Sequence, residues 1–134
     1  MRMLGLIAFL IIFSAPVARA DFAAGAQAYD GGDYAEAFNE WVALARRGDA
    51  AAQVAVADLY RSGAGRSVDD ARAASWYARA AAAGHPIAQV NLGEMYLTGS
   101  GVRRDAVTAY VWFDRAVRRG NTWAVGARIA WRRR

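Results

Sequence analysis

The sequence contains no cysteine, no lysine, two prolines and a single histidine. Without cysteine there are no disulfides, thiol nucleophiles or thiolate metal sites, so packing alone must hold the domain together. Without lysine there is no Schiff-base chemistry and no phosphate loop that ends in Gly-Lys-Ser/Thr. The one histidine, His85, has no second imidazole to complete a metal or catalytic site, and we interpret it as a solvated loop residue. These absences remove thiol and lysine chemistry and leave no residues for a thiolate or multi-histidine metal site. With the repeat architecture described below, they lead us to expect a non-enzymatic protein with no metal and no cofactor.

A long apolar run occurs at the start of the chain. Arg2 gives a positive start, an apolar segment interrupted by one glycine runs from Leu4 to Phe13, and Ala18 and Ala20 are small residues suited to cleavage. This pattern is typical of a secretory signal peptide over residues 1–20, cut after Ala20. The alternative is an uncleaved anchor, but a helix ending at Ala18 would reach only about 22 Å of the roughly 30 Å hydrocarbon core. We therefore expect a periplasmic or secreted protein.

The charge balance after residue 20 is mild. Fifteen arginines face twelve acidic residues, which gives the remaining 114 residues a net charge of +3. Such a balance does not by itself imply a polyanionic partner. Together with the predicted export, it argues against nucleic acid as a ligand.

A thirty-six-residue repeat organises the second half of the chain, where residues 52–84 are answered by residues 88–120. The recurring pairs are Ala52 and Ala88, Gln53 and Gln89, Tyr60 and Tyr96, Gly63 and Gly99, Gly65 and Gly101, Asp69 and Asp105, Ala73 and Ala109, Trp76 and Trp112, Ala80 and Ala116, and Gly84 and Gly120. A fixed period of this length indicates one supersecondary unit stacked on copies of itself.

Each unit is predicted to be a pair of antiparallel helices. In the first copy the leading helix runs from Ala52 to about Arg61, and the glycines after it accept the positive φ of a tight helix end. Asp69 is then placed to cap the second helix, which runs to Ala83. On the second helix of each copy we expect two alanines and two aromatic residues to face inward and pack in the core. These are Ala73, Trp76, Tyr77 and Ala80 in one copy and Ala109, Trp112, Phe113 and Ala116 in the other.

Two further segments complete the predicted domain over residues 21–134. Residues 22–48 form a shorter, degenerate unit in which Asp33 and Glu36 make a capping box. Residues 122–134 form a single capping helix, with Arg128 where the repeats have apolar residues. The prediction is an all-α fold, a short right-handed α-solenoid of antiparallel helix pairs.

The repeated residues carry a family resemblance. The pattern A-Q-x-x-L/V-G/A-x-x-Y-x-x-G-x-G, followed by D-x-x-x-A-x-x-W-Y/F-x-x-A-x-x-x-G, occurs twice and resembles the Sel1-like repeats of the tetratricopeptide superfamily. The resemblance implies a superhelix whose leading helices line a concave groove that docks another protein. In bacterial envelopes such proteins resemble adaptors or regulators, so the implied partner is another envelope protein. Some cysteine-paired relatives are linked to β-lactam binding, and this chain lacks those cysteines.

The predicted groove residues are outward positions of the leading helices, and they mix apolar with charged character as a docking face should. They are Val54, Asp58, Arg61, Val90, Asn91, Glu94 and Leu97. The alternative is a peptidoglycan-acting enzyme or glycan binder that uses Asp58 and Glu94 as paired carboxylates. With two to three repeats the domain is close to the minimum for a stable array, so oligomerisation remains an open alternative.

The C-terminal segment is strongly basic. From Arg115 to Arg134 there are seven arginines and no acidic residue, and Trp123 and Trp131 share one stripe of a helix. Arg128, Arg132, Arg133 and Arg134 form the basic tail. Three alternatives stay open: a cap whose last arginines complement the helix dipole, a surface for an acidic partner, or contact with an anionic membrane.

Overall fold

The computed structural model describes residues 21–132 of the chain. The predicted signal peptide, Arg133 and Arg134 lie outside the described residues, as do the side chains of Trp123, Trp131 and Arg132. The described part contains seven α-helices and no strand: α1 Phe22–Asp30, α2 Tyr34–Arg46, α3 Ala50–Ser62, α4 Asp70–Ala82, α5 Pro86–Thr98, α6 Ala106–Arg118 and α7 Trp123–Arg132. The leading helices of the repeats begin two residues earlier than the pattern predicts.

The helices pack as consecutive pairs. Helices α1 and α2, α3 and α4, and α5 and α6 form the three units, and each leading helix also packs on the second helix of the unit before it. Helix α7 packs against α6 as a single terminal helix. The fold is therefore an α-solenoid of antiparallel helix pairs, as the repeat predicts.

The helix ends follow the repeated residues closely. Gly63 and Gly99 both have φ of +73°, and they end α3 and α5 in the left-handed conformation predicted for them. Asp69 and Asp105 cap α4 and α6 by accepting amide hydrogen bonds from the first turn. The capping function of Asp33 at the start of α2 is also confirmed, since its carboxylate accepts the Glu36 amide at 3.1 Å.

Backbone hydrogen bonds tie each inter-helix loop to the leading helix. The amide of Asp69 donates to the carbonyl of Tyr60, and the amide of Asp105 donates to the carbonyl of Tyr96, both at 2.8 Å. The two tyrosines therefore occupy equivalent places in the two repeats. The thirty-six-residue period of the sequence thus corresponds to a repeat in the structure.

Only one of the two aromatic residues predicted to face inward in each unit is fully buried. Trp76 and Trp112 are only half-buried at the edge of the core. Their neighbours Tyr77 and Phe113 are the fully buried aromatics, each about 1% exposed. The correction follows from helix geometry, because successive side chains lie 100° apart and only one of the two can point between the helices. Each tryptophan instead lies beside an arginine three residues later, Arg79 or Arg115.

A buried glutamine joins each repeat to the preceding one. The Gln53 Nε2 donates to the Ala45 carbonyl, and the Gln89 Nε2 donates to the Ala81 carbonyl, each at 3.1 Å. Both acceptors lie on the second helix of the preceding unit, so the bond crosses the inter-unit interface. The sequence shows the glutamine repeating, but this function was not predicted from it.

The loop glycines form a second inter-unit joint. A Cβ on Gly65 would lie 2.7 Å from the Tyr34 Cβ, and a Cβ on Gly101 would lie 2.2 Å from the Asp70 carbonyl oxygen. In each case the loop of one unit rests on the first residue of the preceding second helix. Close approach, in addition to positive φ, therefore explains glycine at these two positions.

The ends of the array differ from its middle. In the first unit Trp41 packs over Gly25 and its Nε1 donates to the Phe22 carbonyl at 3.1 Å. At the other end, α7 has Arg128 in place of an apolar repeat residue, as the sequence predicts for a terminal helix. Within residues 21–132 no helix is both long and apolar enough to span a bilayer.

Candidate functional site

Five of the seven predicted groove residues are accessible on the leading helices. Asp58 and Arg61 are exposed on α3, while Asn91, Glu94 and Leu97 are half-buried on α5. We refer to these five residues as the leading-helix face.

The other two predicted groove residues are buried. Val54 is 9% exposed and Val90 is 4% exposed, and both belong to the hydrophobic core. Each directly follows the glutamine that bonds to the preceding unit, on a helix packed between two second helices. A leading helix is covered on two sides in a solenoid, so fewer of its positions remain outward than the sequence pattern alone suggests. The prediction that these two valines face outward was therefore wrong.

Asp58 is held by a tyrosine of its own unit. The Tyr77 hydroxyl donates a hydrogen bond to the Asp58 carboxylate. Although Asp58 is exposed overall, its carboxylate lies against this buried ring, and the partial desolvation raises its pKa above 3.8. The hydrogen bond from Tyr77 and the charge of Arg61 oppose that rise. Burial and the Asp58 carboxylate together raise the pKa of the Tyr77 hydroxyl.

Arg61 links the two predicted carboxylates across the inter-unit boundary. Its Nη2 lies 3.7 Å from the Glu94 Oε2, and its charge also acts on Asp58. An exposed pair at this distance contributes little to stability, at most about 1 kcal/mol. The arrangement is a row of alternating charge, negative, positive and negative. It differs from two free carboxylates facing each other across an empty cleft.

Two shallow clefts border this charged row. One, of about 330 Å³, is lined by Asp58, Arg61, Ser62, Tyr77 and Asn91, and it spans α3, α4 and α5. The next, of about 270 Å³, shares Asp58 and Ser62 with the first and adds Tyr29, Trp41 and Ala55 from the first two units.

The aromatic residues of the second cleft were not predicted as site residues. Trp41 lies thirty-six residues before Tyr77, so the repeat register could have found it. Tyr29 lies in the shorter first unit, where the register is lost before the turn, and only the structure brings it to the cleft. Of these two rings, Tyr29 is exposed and Trp41 is buried. An exposed aromatic ring beside polar groups is typical of a protein-binding surface.

Arg128 is engaged within the molecule. Its Nη1 lies 3.1 Å from Asp114 Oδ1, while the Arg118 Nε donates to the other oxygen of Asp114 at 2.7 Å. The hydrogen bonds from these two arginines lower the pKa of Asp114. Arg128 therefore docks α7 on α6, and it is not part of a freely available basic tail.

His85 takes a structural position. It caps the N-terminus of α5, where its Nδ1 accepts the Ala88 amide at 3.4 Å, and Pro86 follows at the start of the helix. The residue is half-buried and so differs from the solvated loop residue predicted. Among the described residues, no group of three or more histidine, aspartate or glutamate side chains is placed to hold a metal ion.

Comparison with known proteins agrees with this architecture. The family model of the Sel1 repeat matches residues 50–85 and 86–121. No curated protein gives a significant match. Among solved structures, the Sel1 repeat protein from Oxalobacter formigenes is 33% identical, with a TM-score of 0.76, over 82% of this chain and 86% of that one.

Two further structures are similar over shorter spans. A protective antigen present in uropathogenic Escherichia coli strains, which displays an SLR fold, is 32% identical with a TM-score of 0.74; the match covers 77% of this chain but 23% of that one. Helicobacter pylori cysteine-rich protein B is 22% identical with a TM-score of 0.67, over 69% of this chain and 70% of that one, and shows a shared fold. The matched repeats span more than half of the sequence, and the chain belongs to the Sel1 repeat family.

Proposed function

We propose that this protein is an exported, non-enzymatic interaction module that binds another envelope protein through its leading-helix face. The Sel1 repeat fold typically mediates protein–protein interaction. The observation that carries the proposal is the alternating row of Asp58, Arg61 and Glu94, of which Asp58 lines both neighbouring clefts. Charges arranged in this way select a partner of complementary pattern more than they add affinity.

The divergence of the two repeats supports this choice of face. Gln53 and Tyr60, which build the fold, recur unchanged as Gln89 and Tyr96. On the accessible side, by contrast, Asp58 corresponds to Glu94 and Arg61 to Leu97. Different side chains on one repeated scaffold give the face a pattern that a partner can read.

The hydrolase alternative fits the geometry less well. Glu94 is engaged by Arg61, and Asp58 accepts the Tyr77 hydroxyl, so both carboxylates already have partners. The paired carboxylates of a glycoside hydrolase flank the scissile bond, whereas here the charge of Arg61 acts on both Asp58 and Glu94. If Asp58→Asn with Glu94→Gln abolished peptidoglycan turnover by the purified protein, the alternative would replace our proposal.

Export is supported by the surroundings of Asp21. This residue, which follows the predicted cut, caps α1. The backbone nitrogen of Asp21 lies 3.0 Å from the Glu40 Oε2. Cleavage after Ala20 would turn this nitrogen into an ammonium group, which the Glu40 carboxylate is placed to neutralise.

The binding face can be tested by site-specific crosslinking in cells. A photoreactive amino acid at Glu94 should capture a discrete protein, whereas the same probe at Ser75, which is exposed on α4, should not. Asp58→Arg introduced beside the probe should abolish the adduct, because it reverses the charge next to Arg61.

Two crosslinking results would contradict the proposed binding face. Equal capture from Glu94 and Ser75, or an adduct that survives Asp58→Arg, would remove the leading-helix face from the proposal. Export is measured separately, by N-terminal sequencing of the protein recovered from the envelope fraction. A mature chain that starts at Asp21 is expected, and an intact Met1 would contradict cleavage.

A further inference from the structure

The C-terminal end of α6 carries a second candidate site, distinct from the leading-helix face. A cleft of about 360 Å³ opens between the ends of α4 and α6, and Arg115, Arg118 and Arg119 line it together with Gly84 and Gln89. It shares no lining residue with the clefts beside Asp58. We call it the arginine cleft.

The three guanidinium groups give the arginine cleft an excess of positive charge. Arg118 is paired with Asp114, which does not line the cleft. Within residues 21–132 no carboxylate lies within ion-pair distance of Arg115 or Arg119. Arg115 lies 4.8 Å from the centre of the Trp112 ring, a contact that leaves its charge uncompensated.

The partial negative charge at the C-terminal end of α4 compensates only part of this positive charge. Arg119 packs its guanidinium over Gly84, where an added Cβ would come within 2.4 Å of its Cζ. The helix end there carries roughly half a negative elementary charge, which accounts for the attraction of one arginine. This partial charge does not compensate three arginines, so the cleft as a whole remains suited to an anion.

The preceding repeat provides an internal comparison. Arg118 and Arg119 correspond to Ala82 and Ala83 at the end of α4. Gly48, which corresponds to Gly84, would meet nothing within 4 Å if it gained a Cβ. The repeat scaffold does not require these arginines, because the same helix end forms with alanines.

We propose that the arginine cleft binds a carboxylate-rich segment of a protein partner. Guanidinium groups match carboxylates in paired hydrogen bonds, and an open cleft with exposed arginines suits side chains presented by a larger ligand. The inference rests on the proposed interaction function, since it adds a second surface and names the chemistry of what binds there.

The test measures binding of a fluorescein-labelled hexaglutamate peptide to the full chain by fluorescence anisotropy, with hexaglutamine as the uncharged probe. The double variant R118A/R119A restores the residues of the preceding repeat. Its matched control is R46A/R47A, which removes two arginines at the corresponding end of α2 and changes net charge equally. Far-ultraviolet circular dichroism confirms that both variants are folded.

We expect hexaglutamate affinity to fall about tenfold in R118A/R119A and less than about twofold in R46A/R47A, because only the first variant removes donors from the cleft. An equal loss of affinity in both variants would show that net charge alone explains the effect, and it would overturn the proposal. So would the absence of hexaglutamate binding, or arginine-dependent binding only to phosphatidylglycerol vesicles. None of these outcomes depends on crosslinking at Glu94, so the two proposals can fail separately.

Discussion

The second and third units show the same backbone carrying different surfaces. Both have a left-handed glycine at the end of the leading helix and the same 2.8 Å bond from the capping aspartate to a tyrosine carbonyl. They differ where Tyr77 becomes Phe113, and where Ala82 and Ala83 become arginines. The comparison separates the residues that build the solenoid from those free to acquire a binding role.

The largest expected effect tests the shared core. Phe113→Ala and Tyr77→Ala should each reduce the free energy of unfolding by about 3–5 kcal/mol, because each removes a fully buried aromatic ring. Trp112→Ala should cost clearly less, since its ring is half-exposed. Urea denaturation measures all three variants. A Trp112→Ala loss equal to that of Phe113→Ala would show that the tryptophan contributes as much to the core as the phenylalanine.

A second prediction concerns the joint between units. Gly101→Ala should cost about 2 kcal/mol or more, because left-handed strain is added to a backbone collision with Asp70. Gly120→Ala, with φ of +86° and nothing within 4 Å, should cost only the strain of about 1–2 kcal/mol. Thermal unfolding of the two variants separates the cost of the collision from the cost of the backbone strain. Equal losses would mean that close approach does not constrain the loop.

The difference between Tyr77 and Phe113 can be tested directly. Tyr77→Phe gives the second unit the aromatic of the third, and it should cost about 1 kcal/mol through the lost hydrogen bond to Asp58. The bond favours the ionised carboxylate, so its loss should raise the Asp58 pKa further. Carboxylate titration by nuclear magnetic resonance measures the shift. An unchanged Asp58 pKa would contradict the assigned partner.

Asp58 also predicts a pH dependence of stability. Its folded pKa is raised above 3.8, so the folded state binds more protons than the unfolded state in this range. Wild type should therefore lose stability relative to Asp58→Asn as pH rises from below 3.8 through the folded pKa. Urea denaturation of both proteins across this interval measures the difference. A flat difference would show that Asp58 is fully solvated.

The smallest effect is expected at Asp114, whose contribution to stability should fall, and not rise, as the pH is lowered. The pKa of Asp114 is lowered in the folded state. Its stabilising contribution is therefore present above pH 3.8 and is lost as the pH falls below 3.8 through the folded pKa. Asp114→Asn should remove that acid sensitivity and slightly increase hydrogen exchange in α7, because Arg128 loses its partner on α6. Unchanged exchange would indicate that α7 is held by apolar contacts alone.

The repeated residues were sufficient to predict the fold. Ala52, Tyr60, Gly63 and Asp69 specify a packing face, a helix stop and a cap, and each does so through local geometry. The structure confirms these functions in both copies. Trp76 was misassigned because its neighbour Tyr77 is also aromatic, and a sequence pattern does not show which of two adjacent rings points between helices.

The sequence by itself determined the all-α class, the period, the glycine stops and aspartate caps of the helices, and the membership of a repeat family, because these depend on residues close together along the chain. Only the tertiary structure decided which side of each helix stays accessible. It buried Val54 and Val90, paired Arg128 with Asp114, and placed the three neighbouring arginines at the end of α6 beside the end of α4. These outcomes depend on how neighbouring units stack, and stacking brings together side chains that no local pattern relates.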